Sequence, residues 1–255
     1  MKKLPVILTS FGNRKGSSEV RAYLEKRFKA KFPDCEFYWA LGSHHFQKLE
    51  DPLLPPSPQS ILQRLHEEGH KRAVIQSLHI APAGEYHKLV ALSEKAPLQV
   101  EISPPLLACE EDCKMASLAL SEEMHALSED TAALLILHGS AHEGGKVFHD
   151  MGKIFMKTWG KRAFYGLLEE KNSCPAMVER IRDAGFSKVF FMPFMLASSY
   201  HLEKDVLGRK NSWKALFEKH KIRVSIQNGM MGSKAEIADI FLQHLEKTIH
   251  ARKVI

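Results

Sequence analysis

The stretch Ala132-Ala133-Leu134-Leu135-Ile136-Leu137-His138-Gly139 decides the fold. An unbroken apolar run that stops at a histidine and a glycine reads as a strand buried on both faces and ending in a turn. The run has an earlier counterpart in Pro5-Val6-Ile7-Leu8-Thr9. Thr9-Ser10-Phe11-Gly12 corresponds to Ile136-Leu137-His138-Gly139 at an offset of 127 (139 − 12), and Phe37-Tyr38 to Phe164-Tyr165 at the same offset (164 − 37). Farther along, Glu67-Glu68-Gly69-His70-Lys71 matches Asp183-Ala184-Gly185-Phe186-Ser187 at 116 (185 − 69). The first half therefore holds 11 extra residues (127 − 116), which the Pro-rich segment Asp51 to Pro58 largely accounts for.

Working outward, strands are expected at Pro5 to Thr9, Glu36 to Ala40, Ala73 to Ser77 and Gln99 to Ile102, with helical patterns between them. The second half repeats the order at Ala132 to Leu137, Arg162 to Leu167, Lys188 to Pro193 and Arg223 to Ile226. Strands separated by helices imply parallel sheets covered on both faces and joined by right-handed crossovers. The expected fold is α/β, internally duplicated, with two similar three-layer domains at residues 1–127 and 131–255 and a linker at Ser128-Glu129-Asp130.

A chain of 255 residues with 44% apolar composition can bury a substantial core. The net charge of +6 favours an acidic partner, yet the basic residues are interspersed with Glu and Asp, so neither nucleic acid nor a membrane surface is expected. Ser10, Gly12, Asn13 and Arg14 interrupt the first apolar run too early for a signal peptide. No stretch approaches the roughly 20 apolar residues that span a bilayer. A cytoplasmic location is expected. Cys109 and Cys113 stand one helical turn apart without the second pair a zinc site requires, and read as buried or incidental thiols.

Ligands of open α/β sheets bind outside the carboxyl ends of the strands, so two such domains are expected to face each other across a cleft lined by strand exits. Those exits are Ser10 to Arg14, Leu41 to His45, Leu78 to Glu85, His138 to His142, Leu168 to Lys171 and Met195 to His201. His138, Glu169 and His201 put two imidazoles and a carboxylate at three exits of one domain, a set that suits a divalent first-row metal with open positions. His138 alone reads equally well as a structural histidine bonded to a loop carbonyl. A shift of 116 residues sets Glu85 against His201 (201 − 85), where a carboxylate can accept protons or steer a cation. Its plainer reading is a helix-start carboxylate favoured by the dipole. His44 and His45, with Arg14 and Lys15, are candidates for binding substrate carboxylates, or are simply solvated. The sequence has no Gly-x-Ser-x-Gly elbow, Walker loop or Gly-x-Gly-x-x-Gly after the first strand, so hydrolase, nucleotide and dinucleotide chemistry lack their usual geometry.

Leu8-Thr9-Ser10-Phe11-Gly12, Gln76-Ser77-Leu78-His79-Ile80 with Gly84-Glu85-Tyr86, Leu137-His138-Gly139, and Met192-Pro193-Phe194-Met195-Leu196 with His201 and Ser212-Trp213 together resemble the anaerobic sirohydrochlorin cobalt chelatases, of the class II chelatase family. The resemblance runs essentially end to end. It implies a bilobal chelatase fold and a lyase that inserts Co2+ into sirohydrochlorin on the anaerobic cobalamin route. It further implies that His138, Glu169 and His201 bind the metal, that His138, His201 and Glu85 carry the chemistry, and that Ser10, Arg14, His44 and His45 lie toward the tetrapyrrole. Two departures, the glycine-rich run after His138 and the charged Glu169-Glu170-Lys171-Asn172, bear on metal and tetrapyrrole preference rather than on fold. No organic cofactor is expected. The substrate metal is Co2+, with Fe2+ or Ni2+ open, because affinity follows the Irving–Williams order and does not select among them. An iron-inserting chelatase, a tetrapyrrole or metal carrier without turnover, and a homo-oligomer also stay open.

Overall fold

The structure, a computed structural model, describes residues 2–10, 17–42 and 55–251. Arg14, Lys15, His44 and His45 lie outside the described residues, as does the first half of the Pro-rich segment, residues 51–54. Among the described residues eight strands form two separate parallel sheets. β1 (Leu4–Ser10), β2 (Cys35–Leu41), β3 (Arg72–Ser77) and β4 (Gln99–Ser103) build the first, in the order β2-β1-β3-β4. β5 (Thr131–Leu137), β6 (Ala163–Leu167), β7 (Lys188–Pro193) and β8 (Arg223–Ile226) build the second, in the equivalent order β6-β5-β7-β8. β1 and β5 begin 127 residues apart (131 − 4), and β3 and β7 116 apart (188 − 72), as the sequence offsets require.

Alternation along the strands creates the layers. In β2, Phe37 meets Phe28 of helix α1 (Ser17–Lys31) at 5.8 Å between ring centroids, and Trp39 Nε1 donates to Glu25 of the same helix at 2.7 Å. Ala40, on the opposite face, joins the core beneath α2 (Pro58–Glu67) and α3 (Gly84–Glu94), with Ile61, Leu62, Leu65 and Leu89. Helix α4 (Glu110–Leu118) and the short α5 (Ser121–Ala126) follow β4. In β6, Tyr165 lies against Gly152 of α6 (Lys146–Trp159), where an added Cβ would fall 2.2 Å from the phenol ring, so only glycine allows that approach. Phe164, one residue earlier, belongs to the other face with Met177, Val178 and Ile181 of α7 (Ser173–Asp183) and Trp213 and Phe217 of α8 (Trp213–Lys219). The motif Ser212-Trp213 thus starts a helix: the Ser212 hydroxyl accepts from Ala215 N at 3.1 Å, and Trp213 is buried. Every residue of β5 is buried, as its apolar run demands.

The chain divides into two compact units, residues 1–108 with 237–255 and residues 109–236. This differs from the expected domains 1–127 and 131–255. Burial and specific contacts, not composition, set the division. Trp159 Nε1 donates to Ser117 O at 3.2 Å, and Arg162 donates to the carbonyls of Met124 and Leu127 at 2.7 and 2.9 Å, so α4 and α5 belong with the second sheet. The C-terminal helix α9 (Ala235–His250) belongs with the first unit, where Asp239 and Glu246 pair with Arg27 and Lys31 of α1 at 2.6 and 2.8 Å. Ser128-Glu129-Asp130, read as a linker, is instead a bonded turn that opens β5. Ser128 Oγ donates to Asp130 at 2.6 Å, Thr131 N donates to Ser128 O at 3.1 Å, and Asp130 pairs with Lys188 of β7.

Among the described residues no helix is long and apolar enough to cross a membrane. Cys113 is buried on α4, and burial with nearby acidic groups pushes its thiol up to about 12; Cys109, before the helix, is exposed.

Candidate functional site

Beyond the last rungs of the second sheet, the strand exits stay joined. Leu168 N donates to Leu137 O at 2.9 Å, Glu169 N to His138 O at 3.0 Å, and Phe194 N to Ile136 O at 2.8 Å. These bonds carry β6 and β7 past their ends alongside β5 and fix where His138 and Glu169 start. Gly139 makes the turn possible. Its φ is +84°, and an added Cβ would stand 3.3 Å from Leu167 Cβ and 3.5 Å from Glu169 Cβ.

His138, Glu169 and His201, singled out from the sequence, come together here. The His138 and His201 rings are perpendicular with centroids 4.8 Å apart, and Glu169 Oε1 lies 3.4 Å from His138 Nδ1. Side-chain exposures of 36% for His138 and 46% for both Glu169 and His201 leave the group open to a hydrated cation.

Each imidazole is oriented through Nδ1. His138 Nδ1 is 2.9 Å from Gly139 O, and a carbonyl only accepts, so Nδ1 carries the proton. His201 Nδ1 lies 2.7 Å from Asp205 Oδ2, which fixes the same tautomer against a carboxylate. In both rings this leaves Nε2 as the nitrogen that could hold a metal. The loop carbonyl that the plainer reading of His138 required is present, and it holds the ring.

Asp205 is the residue the sequence reading missed. It sits on a π-helical turn, Leu202–Val206, whose Leu202 and Val206 are buried in the core while His201 precedes the turn. The spacing His-x-x-x-Asp is the available signal, since residues four apart share a helix face. Among the described residues no group of three or more His, Cys, Asp or Glu is arranged to hold a metal ion. Glu169 meets His138 on the Nδ1 side, so the arrangement is two oriented imidazoles with carboxylates behind them rather than a closed cage.

In the first unit, Glu85 occupies the second position of α3 after the β3 exit and pairs with Lys88 at 2.5 Å. The helix-start role is thus realised, and the residue stands at the place in its unit that His201 holds in the other. His79, on the same exit, is buried beside Ser77 at 2.8 Å, and burial drives its pKa down to about 3. Ser10 closes β1 opposite Leu41. Past Glu169, Glu170 turns to His149 Nε2 at 2.9 Å, beside a cavity of about 390 Å³ at the edge strand β6 that Tyr165, Lys171 and Arg180 also line.

Residues 5–250 match the model of the family described as cobalt chelatase (CbiK). A sirohydrochlorin cobaltochelatase of Salmonella typhimurium is 26% identical over 233 residues, spanning 89% of this chain and 88% of the relative. The sirohydrochlorin cobaltochelatase CbiKC of Nitratidesulfovibrio vulgaris is 25% identical over 268 residues, spanning 98% and 92%. Among solved structures, SirB from Bacillus subtilis with Fe3+ shares the fold with a TM-score of 0.70 at 15% identity, covering 99% of this chain and 98% of that one.

Proposed function

The chain belongs to the cobalt chelatase (CbiK) family, and from that premise we propose that it inserts Co2+ into sirohydrochlorin as a cytoplasmic lyase of tetrapyrrole synthesis. The observation that carries the site assignment is the pair of imidazoles 4.8 Å apart, each with Nδ1 bonded to an oxygen acceptor. Nitrogen donors suit a borderline first-row cation, and a two-imidazole site leaves positions open for water and then for pyrrole nitrogens.

The reaction replaces two pyrrole N–H protons by one divalent cation, so two protons must leave for each metal inserted. His138 and His201 take the cation through Nε2, with Glu169 and Asp205 offsetting its charge. Once the metal has moved to the macrocycle, each Nε2 regains a free lone pair that can accept a proton. We assign Glu85, a carboxylate at the β3 exit, as a further proton acceptor. The positive balance of the chain, +6, suits a polycarboxylate substrate.

Purified protein incubated with sirohydrochlorin and Co2+, followed by absorbance, tests the proposal. Catalytic formation of the cobalt complex is the expected result. A binding spectrum without turnover would make the protein a carrier, and turnover with Fe2+ alone would make it an iron chelatase.

A further inference from the structure

The turn that carries His201 presents a second pair of side chains beside it. Tyr200 and Lys204 are four residues apart, as are His201 and Asp205, and the Lys204 ammonium lies over the Tyr200 ring, 4.9 Å from its centroid. The phenol ring stands edge-on to the His201 imidazole, with centroids 6.1 Å apart at 80°. Leu202 and Val206 anchor this turn in the core, so the positions of Tyr200 and Lys204 are set by packing although the side chains are outside.

Tyr200 is 47% exposed, one of two large hydrophobic side chains left so open among the described residues; the other, Leu118, is on α4. An exposed tyrosine commonly needs no explanation, but this one adjoins the imidazole that receives the metal. Lys204 is also exposed, and its hydrogen bond to Tyr200 pushes its pKa upward, so it stays cationic at neutral pH. An aromatic ring with an ammonium at its side suits a flat conjugated macrocycle bearing carboxylate arms.

We propose that Tyr200 and Lys204 form a docking platform that positions the carboxylated macrocycle over His201, with the ring contacting its conjugated face or edge and the ammonium pairing with a carboxylate arm. This rests on the chelatase reading above and adds to it residues that select the tetrapyrrole rather than the metal. Both act on substrate binding. Neither side chain is packed in the core, so substitution leaves the fold intact.

Initial rates of metal insertion test the platform in wild type and in Tyr200→Ala, Tyr200→Phe and Lys204→Ala, varying sirohydrochlorin at saturating Co2+ and then the reverse. Quenching of sirohydrochlorin fluorescence measures binding in the same proteins without metal. Tyr200→Ala is expected to raise the KM and Kd for sirohydrochlorin about tenfold with the KM for Co2+ unchanged, and Tyr200→Phe to restore both. Lys204→Ala is expected to weaken sirohydrochlorin severalfold and to flatten the salt dependence of its binding. If wild type is active and Tyr200→Ala binds sirohydrochlorin as wild type does, the platform is wrong. The same holds if Tyr200→Phe is as impaired as Tyr200→Ala. A wild type that binds without inserting metal overturns the chelatase reading alone, and the platform is then judged by the Kd ratios. A wild type that neither binds nor inserts overturns both.

Discussion

Replacing Asp205 by alanine removes the acceptor that orients His201. The bond is short, 2.7 Å, and charge-assisted, a class that contributes about 1.5–3 kcal/mol when buried. Here the His201 and Asp205 side chains are 46% and 40% exposed, so solvent screening reduces the value to about 1–2 kcal/mol. Lost orientation and lost tautomer preference weaken the metal-bound state, not the fold. The expected result is a rise of about 5–30-fold in the KM for Co2+, converting at about 1.4 kcal/mol per tenfold, with the KM for sirohydrochlorin nearly unchanged. Asp205→Asn separates geometry from charge, because its amide oxygen still accepts the Nδ1 proton, and its defect should be the smaller. The assay is initial rate against Co2+ concentration, with thermal unfolding as a control. An Asp205→Ala protein with the wild-type KM for Co2+ would refute the claim that this carboxylate holds His201.

Three further perturbations separate the roles of neighbouring groups. Glu85→Gln should slow turnover strongly while leaving calorimetric Co2+ affinity nearly intact, because an amide keeps the carboxylate's shape but accepts no proton, whereas Glu169→Gln should weaken Co2+, because it removes the negative charge beside His138 that offsets the cation. Gly139→Ala should destabilise the chain by about 1–2 kcal/mol, since it strains a residue at φ +84°, and should raise the KM for Co2+ by pushing on Glu169; denaturant midpoints and rates check the two effects. His79, neutral in the fold with a pKa of about 3, charges near 6.5 once unfolded, so only the unfolded state gains a proton between these values. Stability should therefore fall by about 1.4 kcal/mol for each pH unit lost below about 6.5, and a His79→Leu protein should show a flatter profile of denaturant midpoint against pH.

The strands were legible because a parallel strand buried on both faces must be written in apolar residues, as Ala132 to Leu137 and Val189 to Pro193 are, and because the chain repeats itself. The gathering of His138, Glu169 and His201 was legible for a topological reason: residues just past parallel strands gather at one end of a sheet. The boundary was not. Ser128-Glu129-Asp130 has a linker's polarity, but those polar atoms bond one another and Lys188, and only tertiary contacts assign α4, α5 and α9 to their units. Asp205 was hidden because its meaning depends on a π-helical turn that its own sequence, Leu202-Glu203-Lys204-Asp205-Val206, does not announce. The offset that matches strand with strand also aligns His79 with Met195 (195 − 79 = 116), a buried neutral imidazole against a thioether, so duplication carried the frame farther than the chemistry.

The central claim is that His138 and His201 receive the metal. The most direct measurement is the rate of cobalt insertion into sirohydrochlorin by His138→Ala and His201→Ala proteins, with circular dichroism to confirm folding. Both side chains are partly exposed and neither fills packed core, so the account predicts folded proteins in which insertion is abolished. Wild-type rates in both folded variants would contradict it.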